Sequence, residues 1–192
     1  LGLERTFELL EKAGNPHKNL PPIFHIAGTN GKGSVCAYLF SVAKQLGLKT
    51  HCYTSPHLCR FNERIRIANN LIGDEELLRV LDEVEKLNQS KPITFYEITT
   101  VAAFMAFARI PADLLILETG LGGRLDATNV IENPLASIIT PISRDHEHFL
   151  GSELTQIAGE KAGIIKKNVP VISASQTKEV ERTLSNKARE MD

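Results

Sequence analysis

The chain has 192 residues, enough for one sizeable domain, and its 42% hydrophobic and 23% charged residues are ordinary for a soluble globular protein. A formal net charge of −1 creates no field toward nucleic acid or an anionic membrane, and no apolar run approaches the length of a membrane span. Three cysteines, Cys36, Cys52 and Cys59, are an odd number without metal-site spacing and are expected as reduced thiols of a cytoplasmic protein.

In chain order, Leu3, Phe7 and Leu10 share a helical face, and Gly14-Asn15-Pro16 stops that helix. Residues 22–27 read as a strand, 33–46 as a helix ending at Gly47, and 49–54 as a short strand closed by Ser55-Pro56. Residues 61–67 alternate charge with apolar side chains and can be extended. Asp74 is a plausible N-cap for an amphipathic helix over 75–87, and 96–109 reads as a second, buried helix. Residues 113–118 form a buried strand ending in Glu118, and 119–134 form a long loop without helix or strand periodicity. A strand at 135–140, a helix at 153–162, a strand at 169–173 and a helix at 178–191 complete the chain. Strands alternating with helices predict a mostly parallel α/β sheet, whose site lies at the carboxyl ends of its strands. The informative polar residues fall there: residues 28–34, Ser55, Glu118 and Asp145-His146.

Residues 28–34 are Gly-Thr-Asn-Gly-Lys-Gly-Ser, between a strand and a helix. Such a turn aims backbone N–H groups and a helix N-terminus at one point, which suits an anion. Lys32 adds a mobile positive charge, and Ser34 a hydroxyl that can reach a metal. The natural ligand is a nucleotide polyphosphate with Mg²⁺. The spacing departs from G-x-x-x-x-G-K-[ST]: two residues separate Gly28 from Gly31, and Gly33 precedes Ser34. The bland alternative is a glycine-rich turn with a surface lysine.

Glu118 stands where a Walker-B-type carboxylate would hold Mg²⁺, against the alternative of a strand-end acid meeting solvent. In the following loop, three glycines allow close approach to a ligand, and Arg124 can grip a carboxylate or phosphate. His146 is a metal ligand only if carboxylates share the site, and spacing does not separate it from His148. Lys161 lies among small and apolar residues, so its pKa is open to depression and its amine to carbamate formation with CO₂.

Five stretches of the chain resemble one family. They are residues 25–34; 1–5 with 14–17; 54–58 through Arg64; 118–129; and Asp145-His146 with Leu150-Gly151 running on to 160–164. They are similar in order and spacing to folylpolyglutamate synthase and the bifunctional dihydrofolate synthase/folylpolyglutamate synthase of the Mur ligase superfamily. The likeness extends over essentially the whole chain. It implies a P-loop-containing, Mur-ligase-like central domain. It also implies an ATP-dependent ligase: a carboxylate becomes an acyl phosphate, and the amine of L-glutamate displaces phosphate. The substrate would be dihydropteroate, or a reduced folate extended at its γ-carboxylate.

By resemblance, residues Gly28, Thr29, Asn30, Gly31, Lys32, Gly33 and Ser34 belong to the ATP site, with Thr29 to Ser34 cradling its phosphates. Ser34 and Glu118 would hold one Mg²⁺, and Ser55, Glu118 and His146 a second, with K⁺ a further cation. Lys161 matches a carbamylated lysine supporting the metal. Lys32, Glu118, His146 and Lys161 form the catalytic set. The substrate side would comprise Leu1, Gly2, Leu3, Thr94, Phe95, Tyr96, Glu97, Arg124, Leu125, Asp126 and Ala127.

Two departures from the pattern stand out. His148 replaces an acid, although Phe149 keeps an aromatic. Family members are also considerably longer, so residues 1–192 are expected to be an incomplete amino-terminal ATP-binding domain, inactive alone. The Rossmann-like carboxy-terminal domain, with adenine contacts and much of the glutamate site, is expected elsewhere. The full-length protein is expected to be a monomer binding neither nucleic acid nor membrane. The competing readings are another Mur-type peptide ligase, disfavoured by Gly33 and Ser-Pro-His at 55–57, and a non-catalytic nucleotide-binding module.

Overall fold

The computed structural model describes residues 2–192, so the expectation for Leu1 lies outside the described residues. Its strands are β1 Ile23–Ala27, β2 Thr50–Tyr53, β3 Ile65–Ile67, β4 Asn70–Leu71, β5 Leu114–Glu118, β6 Ala136–Ile139 and β7 Val171–Ser173. They form one sheet in the order β4-β3-β2-β5-β1-β6-β7. Strands β2, β5, β1, β6 and β7 are parallel, while β3 and β4 add an antiparallel edge. The helices are α1 Glu4–Lys12, α2 Lys32–Gln45, α3 Asp74–Asn88, α4 Phe95–Arg109, α5 Glu147–Leu150, α6 Leu154–Ala162 and α7 Lys178–Glu190. This is the mostly parallel α/β sheet that the alternation of patterns predicts.

Period-2 alternation divides the core between the two faces. Leu115, Leu117, Ile23 and Tyr53 turn toward α1, α3 and α4, while Ala27 and Ile139 on the same face meet α6 and α7. Ile26, Ile116, Ile138 and Cys52 face the other way, where α2 covers them with Cys36 and Ala43. Helix α4 is buried almost all round, as its apolar composition predicts, and Phe104 and Phe107 are completely enclosed. Burying each such side chain is worth about 1.5–3 kcal/mol. Helix α4 starts at a capping box: Glu97 N–H donates to Thr94 Oγ1 at 3.2 Å, and Thr94 N–H donates to Glu97 Oε2 at 2.7 Å.

Several local expectations change. The buried face of α1 is Thr6, Leu9 and Leu10, whereas Phe7 is half exposed, edge-on to His17. Asp74 is the first residue of α3, not its cap, and its carboxylate accepts from Arg60 and Asn62. Residues Phe61–Arg64 form a 3₁₀ turn before β3, because Glu63 gathers the N–H groups of Leu58, Cys59 and Arg60 at 2.7, 3.1 and 2.8 Å. The long loop after β5 contains a 3₁₀ turn, Ala127–Val130, capped by Asp126. Side-chain carboxylates nucleate these turns, and such bonds leave no periodic signature in a sequence. Helix α5, a single turn, is likewise too short to show a period.

Candidate active site

The carboxyl ends of β1, β2, β5 and β6 bring residues 28–34, Ser55, Glu118 and residues 140–146 to one edge of the sheet. Gly28 takes φ 149°, with Thr140 pressed so close that a Cβ would lie 1.8 Å from its Oγ1. The next two N–H groups, of Thr29 and Asn30, both donate to the carbonyl of Pro141, at 3.0 and 3.2 Å. Thr29 Oγ1 donates to Ser143 C=O and accepts Ser143 N–H, and Asn30 Nδ2 donates to Ser143 Oγ. The front of the loop is thus fastened to the segment after β6. Gly31, at φ 84°, turns the chain into α2, whose first bond is Val35 N–H to Gly31 C=O. The N–H groups of Gly31, Lys32, Gly33 and Ser34 precede that bond and are the ones a helix start offers to an anion. Of the residues expected to form the cradle, Thr29 and Asn30 have their backbone N–H groups bonded to Pro141. Lys32 folds back, donating from Nζ to the carbonyls of Gly28 and Thr29 at 3.1 and 3.5 Å.

Glu118 is 3% exposed and accepts Ser55 N–H at Oε2, 3.0 Å away. Burial raises its pKa, while the Ser55 bond and the Lys32 charge oppose the rise. Lys161, on α6, is 4% exposed and donates from Nζ to Gly28 C=O at 2.8 Å. Burial and the neighbouring Lys32 lower its pKa to about 8. Both lysines therefore converge on the one carbonyl that opens the loop. This burial agrees with the sequence expectation for Lys161.

The glycines of the loop after β5 are closely packed, and Gly120 also lines a cleft. The Tyr96 ring occupies the space beside Gly120, and the backbone of Glu160 and Lys161 abuts Gly123. Asp126, 4% exposed, organises the loop by accepting N–H groups from Gly120, Leu121 and Thr128 and the Thr128 hydroxyl. Burial raises its pKa, against the pull of these bonds. Arg124 pairs with Glu160 on α6 at 2.7 Å.

A cleft of about 490 Å³ joins many of the expected residues: Lys32, Ser55, His146, Gly2, Thr94, Tyr96, Glu97, Leu125, Asp126 and Ala127. Leu3, Phe95 and Arg124 do not line it. Glu118 opens instead on an adjoining cavity of about 640 Å³, together with Gly33 and Ser55. Sequence reasoning missed Arg5 and Arg64 in the cleft. Arg5 pairs with Glu97 at 3.0 Å, and Arg64 lies over the Phe61 and Phe95 rings and donates to His57 Nδ1. Arg5 and Arg64 each end a stretch that carries the family resemblance, and Arg64 also falls in the charge alternation of 61–67, but neither signal assigns them to a site. His25, a polar residue among apolar neighbours in β1, begins the stretch 25–34, and its sequence pattern gives it no role.

Among the described residues, no three His, Cys, Asp or Glu side chains are gathered to hold a metal. His146, at φ 50°, is exposed, with Nε2 3.7 Å from Asp145 Oδ2. One buried carboxylate, Glu118, suits a hard cation such as Mg²⁺ that arrives with phosphate oxygens and retains waters, rather than a dedicated protein cage.

Comparison with known proteins fits this geometry. No family model matches the chain. A Bacillus subtilis protein named dihydrofolate synthase/folylpolyglutamate synthase is 42% identical over 194 residues, covering 97% of this chain. The dihydrofolate synthetase of Saccharomyces cerevisiae is 45% identical over 183 residues, covering 93% of it. The chain belongs to the folylpolyglutamate synthase/dihydrofolate synthase family. A solved structure of E. coli FolC in complex with DHPP and ADP superposes with a TM-score of 0.91 at 36% identity, over 99% of this chain and 45% of that one. The Mycobacterium tuberculosis folylpolyglutamate synthase, complexed with ADP and AMPPCP, gives a TM-score of 0.90 at 37% identity, over 100% and 46% of the two chains. The family fold is therefore present, and the chain spans about half the length of these relatives: 45% of the Bacillus and 43% of the yeast protein. No helix among the described residues is long and apolar enough to cross a membrane.

Proposed function

We propose that this chain carries the phosphate, metal and pterin sides of a cytoplasmic, monomeric ligase that joins L-glutamate to dihydropteroate or to the γ-carboxylate of a reduced folate. The observation that carries the reading is the single cleft in which Lys32 and Ser55 from the phosphate edge meet Tyr96, Leu125 and Ala127 from the apolar side. An acyl-phosphate reaction needs that meeting, because the substrate carboxylate must reach the terminal phosphorus of ATP. The carboxylate oxygen bonds to phosphorus as ADP leaves. The glutamate nitrogen then bonds to the acyl carbon, the carbon–oxygen bond to phosphate breaks, and the nitrogen gives up its proton.

The N–H groups of Gly31 to Ser34 would hold the phosphates, and Lys32 would stabilise charge on the phosphoryl group in transfer. Ser34, Ser55, Glu118 and His146 would hold Mg²⁺, one or two ions, with K⁺ a further cation to be tested. Bound Mg²⁺ would neutralise charge on the transferring group. Lys161 is assigned as the carbamylated lysine. A pKa near 8 leaves part of its amine neutral to add CO₂, and the remaining Nζ–H can still donate to Gly28. The 192 residues alone are expected to show no ligase turnover, because glutamate recognition is assigned to none of their side chains.

Calorimetry of the chain with ATP and Mg²⁺, and with Glu118→Gln, tests the phosphate and metal assignment. Nucleotide binding that Mg²⁺ strengthens in the wild type but not in the variant is the expected result. Equal Mg²⁺ dependence in both removes Glu118 from the site. A panel of carboxylates tests the substrate: binding of a muropeptide with indifference to pteroate would overturn the folate reading in favour of another Mur-type ligase.

A further inference from the structure

His25 is completely buried in β1, between Phe24 and Ile26, where an aliphatic residue would complete an apolar strand. Its Nε2 lies 2.9 Å from Thr128 Oγ1. The same hydroxyl lies 2.6 Å from Asp126 Oδ1. A carboxylate only accepts, so the single hydroxyl hydrogen of Thr128 is given to Asp126. His25 must then be the donor, in the Nε2–H tautomer. Its Nδ1 is left buried with no hydrogen-bond partner. Burial also lowers its pKa to about 3, so the ring is neutral at physiological pH.

A bare buried nitrogen is a cost that an aliphatic side chain would not carry. What offsets it is the relay. The Nε2–H fixes the rotamer of Thr128, whose hydroxyl and N–H hold Asp126 Oδ1 at 2.6 and 3.0 Å. Asp126 Oδ2 in turn holds the N–H groups of Gly120 and Leu121 at 2.9 and 2.8 Å. Gly120, Leu121 and Asp126 line the cleft, two residues and more beyond Glu118.

We infer that His25 is a positioning residue for this cleft, acting through Thr128 and Asp126 to fix the Gly120–Leu121 turn against which the substrate lies. The substrate half of this statement rests on the reading proposed above; the fixing of the turn does not. His25 touches no substrate. It acts from beneath the loop, through two side chains.

The test compares His25→Leu, of similar bulk but with no donor, and His25→Gln, whose amide N–H reaches the position of Nε2. Both suit a buried strand. Amide hydrogen exchange of the full chain is followed by NMR, and pteroate affinity by calorimetry. His25→Leu should speed exchange at Gly120 and Leu121 at least tenfold, leave Leu115 and Ile116 as in the wild type, and weaken pteroate at least fivefold. His25→Gln should restore both. Unchanged exchange at Gly120 and Leu121 in His25→Leu, equal acceleration throughout β1 and β5, or failure of His25→Gln to restore the turn would overturn the relay. A loosened turn with unaltered pteroate affinity would overturn the role in the cleft. If the wild-type chain itself binds no pteroate, the substrate reading fails, and exchange alone decides the relay.

Discussion

Gly28→Ala is the sharpest test of how the phosphate loop is held. At φ 149°, a Cβ would lie 1.8 Å from Thr140 Oγ1, 2.9 Å from Thr140 Cβ and 3.0 Å from the Thr140 carbonyl oxygen. A non-glycine residue in so sparse a backbone region costs about 1–3 kcal/mol. Relieving the overlap by moving packed neighbours costs about 1–3 kcal/mol more. The sum of about 2–6 kcal/mol is a large part of the roughly 5–15 kcal/mol that keeps a domain folded. With a slope of about 2 kcal/mol per molar, the urea midpoint falls by about 1–3 M. Thr140→Ala in the same chain removes the 1.8 Å overlap but keeps the carbonyl contact and the backbone strain, so it should recover only part of the loss. Since Gly28 C=O receives both Lys32 Nζ and Lys161 Nζ, nucleotide affinity should fall as well. A midpoint shift below about 0.5 M, which is about 1 kcal/mol, would refute the close-packing argument.

Lys161 predicts a pH dependence with a definite sign. Its pKa falls from an ordinary 10.5 to about 8 on folding, so between those values the unfolded chain binds more protons and stability rises with pH. The full change is about 3 kcal/mol. Urea unfolding in carbonate-free buffer should show the rise in the wild type, and Lys161→Met should lack it; parallel profiles would mean that the amine is solvated. Asp126→Ala strands three N–H groups and a hydroxyl, and thermal unfolding should register a loss of about 3 kcal/mol, moderated by water from the cleft. Arg124→Ala removes only an exposed pair with Glu160 and should change stability by less than about 1 kcal/mol, with pteroate affinity unaltered. A large affinity loss there would return Arg124 to the substrate side.

Much of the phosphate edge could be read from residue order, because strand, glycine turn and helix are local patterns. Gly28, Lys32 and Glu118 lie where that order puts them, at the carboxyl ends of β1 and β5. Lys161 was legible for another reason: a lysine among Ala and Gly residues breaks the helix's apolar surface and invites burial. The pairing of Arg124 was not legible, because only the packing of α6 places Glu160 beside it. The close neighbours of the loop glycines are likewise invisible in the local sequence, since they come from α4, α5 and α6. Arg5 reaches the cleft from α1, 92 positions from its partner Glu97, and no window of sequence spans that distance.

The α/β alternation, the glycine turn between β1 and α2, the strand-end acid and the family are all legible in residue order, because each rests on short-range spacing and residue type. Which amides of that turn are already bonded depends on long-range packing, since Pro141 accepts those of Thr29 and Asn30. The same packing brings Lys32 and Lys161 to one carbonyl and lets His25 reach Asp126 through Thr128. Those facts depend on side chains far apart in the chain meeting across a packed sheet, where a hydrogen bond is made or lost within a few tenths of an ångström.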